Sequence, residues 1–125
     1  MKGSFSSLRP FLDPPAPCRP DPDTLCLLNN RFRVRVSWQN QFDGSSGTGR
    51  PIPRSNVTGF FSFGDPSNVE LLVKILDFDG QILVAWGALT NLEYTLKVTD
   101  TETGAVETYH NPAGTYCGGL DQDAF

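Results

Sequence analysis

The chain has 125 residues, of which 38% are hydrophobic, and this suffices for one domain with a modest core. Its ten basic and 14 acidic residues give a net charge of −4, which disfavours a nucleic-acid partner because phosphate contacts need a clustered excess of Lys and Arg. No stretch approaches the roughly 20 apolar residues of a membrane span, and residues 1–20 lack the apolar segment of a signal peptide.

A proline-rich stretch, residues 1–25, opens the chain. It holds most of the ten prolines, which fix φ and lack a backbone donor, so it is predicted to be an extended arm before a folded domain at residues 26–125. We expect its apolar side chains to contact either the chain's own sheet or a neighbouring copy, as an added strand. These side chains are Phe5, Leu8, Phe11 and Leu12.

Three cysteines indicate one local disulfide. Seven residues separate Cys18 from Cys26 in the segment CRPDPDTLC, where a bridge can fix a stretch that has no core of its own. Cys117 is then left over, which predicts either a buried thiol or a bridge between chains. Zinc is not expected, because there is no closely spaced cysteine pair and only one histidine.

The first strand of the core has the clearest alternation in the sequence. One face carries Phe32, Val34, Val36 and Trp38, and the other carries Arg31, Arg33, Arg35 and Ser37. A period of two residues predicts a half-buried strand with an apolar row inward and an arginine row outward.

The rest of the chain predicts more strands and no helix. Residues 43–54 are rich in Gly, Ser and Pro and are predicted to be a loop. Further strands are predicted at 59–63, 69–76, 82–89, 93–99 and 105–109, the last two joined in a hairpin with Gly104 at a positive φ. This spacing predicts an all-β fold: an antiparallel β-sandwich, or a partly open barrel, of about six to eight strands.

Candidate sites for chemistry are few. His110 is the only histidine and Cys117 its only nearby nucleophile, in a stretch without a family signature, so no enzyme is expected. The oxygen ligands of Asp65, Asn68, Asp77 and Asp79 could hold calcium at strand ends, although the same residues suit ordinary turns. No other cofactor is predicted.

Aromatic side chains could also form a platform for sugar. Trp38 and Trp86 lie in apolar strands and are predicted to belong to the core. Phe78, between two aspartates in a turn, is the best candidate for an exposed aromatic. A glycan is therefore a second possible partner.

Three segments from Cys18 onward carry a resemblance: NNRFRVRVSW, FFSFGDPSNVELLVKILD and EYTLKVTDTETGAV. They resemble an uncharacterised β-sandwich module found near the C-termini of secreted and surface proteins of bacteria. The resemblance covers about 100 residues. It implies a β-sandwich in an extracellular or cell-surface setting, and it brings no catalytic residues.

Charge is divided unevenly along the sequence. Residues 1–54 hold eight basic and four acidic residues, whereas residues 55–125 hold two basic and ten acidic ones. Such asymmetry permits copies to associate, although pairing within one chain would also use it. We expect a non-enzymatic extracellular structural module that self-associates into a fibre or tube through the arm and Arg31, Arg33 and Arg35. The alternative is a carbohydrate- or calcium-binding module.

Overall fold

The structure is a computed structural model that describes residues 16–125. Phe5, Leu8, Phe11 and Leu12, the predicted contacts of the arm, lie outside these residues. Ten strands and no helix occur in the described part: β1 Leu25–Leu27, β2 Phe32–Gln39, β3 Ser46–Thr48, β4 Arg50–Pro53, β5 Thr58–Ser62, β6 Val69–Phe78, β7 Gln81–Ala88, β8 Glu93–Asp100, β9 Val106–Asn111 and β10 Gly119–Asp121. Residues 16–125 accordingly contain no helix that could cross a membrane.

The strands form two antiparallel sheets, which confirms the predicted β-sandwich. The first sheet has the order β9-β8-β2-β1, and β3 pairs with the far end of β2 on the same side as β1. The second sheet has the order β10-β7-β6-β5-β4. Ten strands exceed the predicted six to eight, because the three-residue strands β1, β3 and β10 are too short to show a periodic pattern.

The predicted loop at residues 43–54 is partly wrong, since it contains β3 and β4. The chain passes from the first sheet to the second at Gly49, whose N–H donates to the Val36 carbonyl at 2.8 Å. A Cβ on Gly49 would lie 3.0 Å from Phe61 and 3.2 Å from Val36, so a side chain at this crossing would require these core residues to shift slightly. The prolines Pro51 and Pro53 are tolerated because β4 is an edge strand.

Inward-facing side chains of both sheets form one core. The alternation in β2 is confirmed: Phe32, Val34 and Val36 are buried, whereas Arg35 and Ser37 are exposed. The rest of the core comes mainly from the same alternation in the other long strands: Phe61, Leu71, Val73, Ile75, Ile82, Val84, Tyr94, Leu96 and Val98. As predicted, the two tryptophans pack against this core.

Two hairpins have the turn geometry that their residues favour. Asp79 and Gly80 join β6 to β7 with φ of 52° and 95°, as a two-residue turn with both central φ positive requires. Gly104 lies between β8 and β9 with φ of 81°, which confirms the predicted positive φ.

A buried ion pair ties the start of β2 to the end of β8. Arg31 donates from Nε and Nη2 to the two carboxylate oxygens of Asp100, at 3.1 and 2.9 Å. The Asp100 side chain is only 1% exposed. Burial alone would raise the pKa of Asp100, but hydrogen bonds from Arg31 and the Glu102 N–H outweigh burial and hold the pKa below its ordinary 3.8.

Replacing Asp100 tests this ion pair. Asp100→Asn leaves the partly buried guanidinium of Arg31 without its counter-charge, so we expect the free energy of unfolding at neutral pH to fall by about 2–4 kcal/mol. Because folding lowers the Asp100 pKa, the stabilisation is complete above the unfolded pKa and is lost as pH falls through the folded value. Urea titrations should therefore show the difference from wild type shrinking in acid. A difference that stays constant with pH would contradict the assignment.

The disulfide predicted between Cys18 and Cys26 is present. Cys18 is 3% exposed, and its N–H donates to the Asn30 carbonyl at 2.8 Å, so the segment before β1 is fastened at two points.

Replacing both cysteines by serine should lower the free energy of unfolding by about 2–3 kcal/mol, the chain-entropy value for so short a loop. Thermal unfolding followed by circular dichroism measures this loss. Reduction of the wild-type protein should shift its midpoint by a similar amount, and reductant should leave the double variant unchanged.

Candidate interaction surfaces

One end of the sandwich has an open cleft of about 520 Å³. Its floor is the turn between β1 and β2, where Leu28, Asn29 and Asn30 all have positive φ. This backbone is held by Asn56, whose carbonyl and side-chain oxygens accept the N–H groups of Leu28 and Asn29 at 2.7 and 2.8 Å.

The charged groups in this cleft already have partners. Arg31 is bound to Asp100 and also lies 3.4 Å from Glu102 and 4.0 Å from Asp77. Asp77 accepts the Gly80 N–H at 2.7 Å. These interactions hold the end of the sandwich together, and a ligand entering the cleft would have to displace ion pairs or hydrogen bonds that are already made.

The residues predicted to bind calcium are not brought together. Asp65 and Asn68 precede β6, while Asp77 and Asp79 lie at its other end, and a ten-residue strand is about 30 Å long. Asp65 accepts bonds from the backbone N–H and hydroxyl of Ser67, which lower its pKa and are typical of a turn. Within residues 16–125, no group of three or more acidic, histidine or cysteine side chains could hold a metal ion.

His110 and Cys117 do not form a catalytic pair. The imidazole nitrogens of His110 face Thr95 Oγ1 at 3.0 Å and a Glu93 carboxylate oxygen at 3.3 Å. Cys117 lies in the loop before β10, where its carbonyl accepts the Tyr94 hydroxyl at 2.9 Å and its thiol is free and exposed. The prediction of a buried thiol is therefore wrong, and a bridge between chains through Cys117 stays a prediction.

Accessibility of Cys117 can be measured by thiol labelling. The native protein should react with one equivalent of iodoacetamide without denaturant, as mass spectrometry would show, because Cys18 and Cys26 are oxidised. Cys117→Ser should remove the reaction. Labelling only after unfolding would show that the thiol is shielded.

The outer face of the first sheet carries a cationic cluster, defined as Arg33, Arg35 and Lys97. Arg35 and Lys97 are direct cross-strand partners on β2 and β8. Arg33 lies two residues before Arg35 on β2 and is paired with Thr99. Arg31, predicted to be in the same outward row, instead precedes β2 and turns to Asp100, because its partner lies at the end of the neighbouring strand.

The outer face of the second sheet carries apolar side chains on either side of Lys74. Alternation buries Leu71, Val73 and Ile75, so Leu72 and Leu76 point outward. The outward positions of the neighbouring strands are also apolar, and together they define the apolar face: Ile52, Phe60, Leu72, Leu76, Phe78, Leu83, Ala85 and Leu120. Leu72, Phe78 and Leu120 are 37%, 57% and 55% exposed, which confirms Phe78 as a surface aromatic.

Comparisons of the chain with protein-family models, curated proteins and solved structures found no match. The similarity to bacterial surface modules therefore stays a prediction from the sequence segments. The two outer faces of the sandwich are the basis for assigning a function.

Proposed function

We propose that this protein is a non-enzymatic structural and interaction module whose copies associate through the apolar face. The observation that carries the proposal is that most outward positions of β5, β6 and β7 are apolar, with Glu70 and Lys74 as the charged residues among them on β6. An antiparallel sheet ordinarily buries one face and exposes a polar one. Here the inner face fills the core, and the outer face has no covering element among residues 16–125.

The size of the apolar face suits an interface centre. It spans about 20 Å across the strands and about 20 Å along β6, or about 400 Å². This footprint includes Lys74, and the largest apolar patch of a monomer is commonly of this size and often functional. A stable interface buries about 800 Å² on each partner, so the patch would be the apolar centre of a contact with a polar rim.

Charge complementarity favours a second copy as the occupant. Glu70 and Lys74 lie on the outer side of β6, two residues to either side of Leu72. A two-fold axis through Leu72 that sets two β6 strands antiparallel, face to face, places Lys74 of each copy over Glu70 of the other. Within one chain the two residues are about 13 Å apart along the strand, too far to pair.

Neither residue has an ion pair within residues 16–125. One Glu70 oxygen accepts the Phe63 N–H at 3.1 Å, and this bond fixes the side chain while leaving the other oxygen available. A two-fold contact of this kind closes on itself and gives a dimer. A fibre or tube would need a second contact.

An extracellular or cell-surface location is part of the proposal. The bridge between Cys18 and Cys26 supports it, because disulfides persist in oxidising compartments. The absence of an assembled nucleophile and base among the described residues is compatible with a non-enzymatic role.

A reciprocal charge exchange tests the dimer. Wild-type protein should sediment as a dimer, while Lys74→Glu and Glu70→Lys should each weaken association about tenfold or more, because like charges then face one another across the axis. An equimolar mixture of the two variants should recover a dimer, since each supplies the charge that the other lacks. Sedimentation velocity at low salt measures all four samples: wild type, each variant and the mixture.

Lys97→Glu is the matched control, because it makes the same charge change on the opposite sheet and should leave the dimer intact. Thermal unfolding of Glu70→Lys checks that loss of the bond to Phe63 has not unfolded the domain. A monomeric wild type at high concentration, or variants that fail to complement one another, would overturn the proposal.

A further inference from the structure

We propose that the cationic cluster of Arg33, Arg35 and Lys97 binds an acidic polysaccharide, a sugar polymer that bears sulfate or carboxylate groups. The site lies on the sheet opposite the apolar face and is complete within one chain. It goes beyond the proposed association and does not depend on it.

Electrostatic repulsion within the cluster is the first argument. Arg35 and Lys97 face each other across paired strands, an arrangement of like charges that destabilises a sheet. Within residues 16–125, neither Arg33 nor Lys97 lies within 4.0 Å of a carboxylate. Only Arg35 has a partner, Asp21 at 3.6 Å, and both of these side chains are about half exposed. A bound anion would relieve the repulsion.

The setting of the cluster is the second argument. Arg35 and Lys97 are shared by two adjoining shallow depressions of about 40 and 180 Å³, so the cations line a continuous open track. Hydroxyl side chains on four neighbouring strands border the same track: Ser37, Thr48, Thr95, Thr99 and Thr108. Charged donors alternating with hydroxyl groups suit a polymer that carries both anionic groups and hydroxyls.

The residue types on the outer face of the first sheet favour an acidic polysaccharide over other polyanions. Single-stranded nucleic acids bind on exposed aromatic side chains, and a membrane surface binds through inserted apolar side chains or through basic clusters larger than these three residues. On the strands of the first sheet, the described outward positions hold no Phe, Tyr or Trp, and Val106 is the only large apolar residue. The imidazole of His110 lies on this face, where its nitrogens already face Thr95 and Glu93. A polymer recognised by charge and hydroxyl groups alone fits such a face best.

Opposite placement of the two surfaces has a consequence that rests on the proposed dimer. Two copies joined through their second sheets would carry their cationic clusters on the two outward sides. Such a dimer could hold two polysaccharide chains at once and gain avidity on a dense matrix.

Binding can be tested by calorimetry with heparin and polygalacturonate, which carry sulfate and carboxylate groups respectively. We expect wild-type protein to bind at least one of them with an affinity that falls steeply with salt, as polyanion binding does. Neutral dextran should not bind. Lys97→Gln and the double variant Arg35→Gln, Lys97→Gln should lose about tenfold or more in affinity.

Lys74→Gln is the matched control, because it removes one positive charge from the other sheet and should bind as wild type does. Lys97 has no ion pair among the described residues, so Lys97→Gln should fold as stably as wild type. Replacing Arg35, in contrast, removes its contacts with Thr24 and Asp21, and the double variant is expected to lose stability for that reason. Polyaspartate and a single-stranded oligonucleotide serve as competing polyanions.

Equal losses in Lys74→Gln, no binding to either polysaccharide, or tighter binding to polyaspartate or the oligonucleotide would overturn the inference. Sedimentation of the Lys97→Gln variant shows whether the dimer forms independently of polysaccharide binding. A failed polysaccharide site would leave association intact, and a monomeric protein would still bind heparin.

Discussion

A two-layer sandwich can bury only one face of each sheet, and the outer face of the second sheet in this chain is also largely apolar, with Glu70 and Lys74 as its charged residues on β6. The inner one packs on Phe32, Val34 and Leu96 and accounts for the stability of the fold. The outer one, with Leu72 at its centre, remains in contact with water in the isolated chain. In the proposed dimer, burying that outer face would supply the favourable free energy of association. The outer face of the first sheet is polar and offers little apolar surface to bury.

The sequence predicted those parts of the fold in which one residue type alternates with another. The outward arginines and inward apolar residues of β2 show which side is buried, and their pattern does not depend on the rest of the chain. The runs at 69–76 and 82–89 predict strands equally well. Their apolar residues occur on both sides of each strand, interrupted at 69–76 by Glu70 and Lys74, and this pattern cannot show whether the second face is covered by another layer or left exposed.

Other features depend on contacts between distant segments, which local patterns do not contain. Arg31 continues the alternation of β2, yet it turns to Asp100 because β8 ends beside it in the folded sheet. The four candidate calcium ligands are close in sequence but separated by the length of β6, so extended structure moves them apart. Strands β3 and β4 contain Gly and Pro, which local patterns assign to loops. They are strands because the chain crosses at Gly49 from the edge of β2, where β3 pairs, to the edge of β5, where β4 pairs. The cationic cluster likewise required the register of β2 with β8.

The strand edges affect how copies of this protein can meet without aggregating. Three of the four described edges are short or blocked: β1 and β3 divide one side of β2 between them, β10 has three residues, and β4 contains Pro51 and Pro53. Such edges are poor templates for the open-ended growth of amyloid. If copies meet through the apolar face as proposed, these three edges favour a contact between faces over continued pairing of strands, and β9 is the one longer edge left open among the described residues.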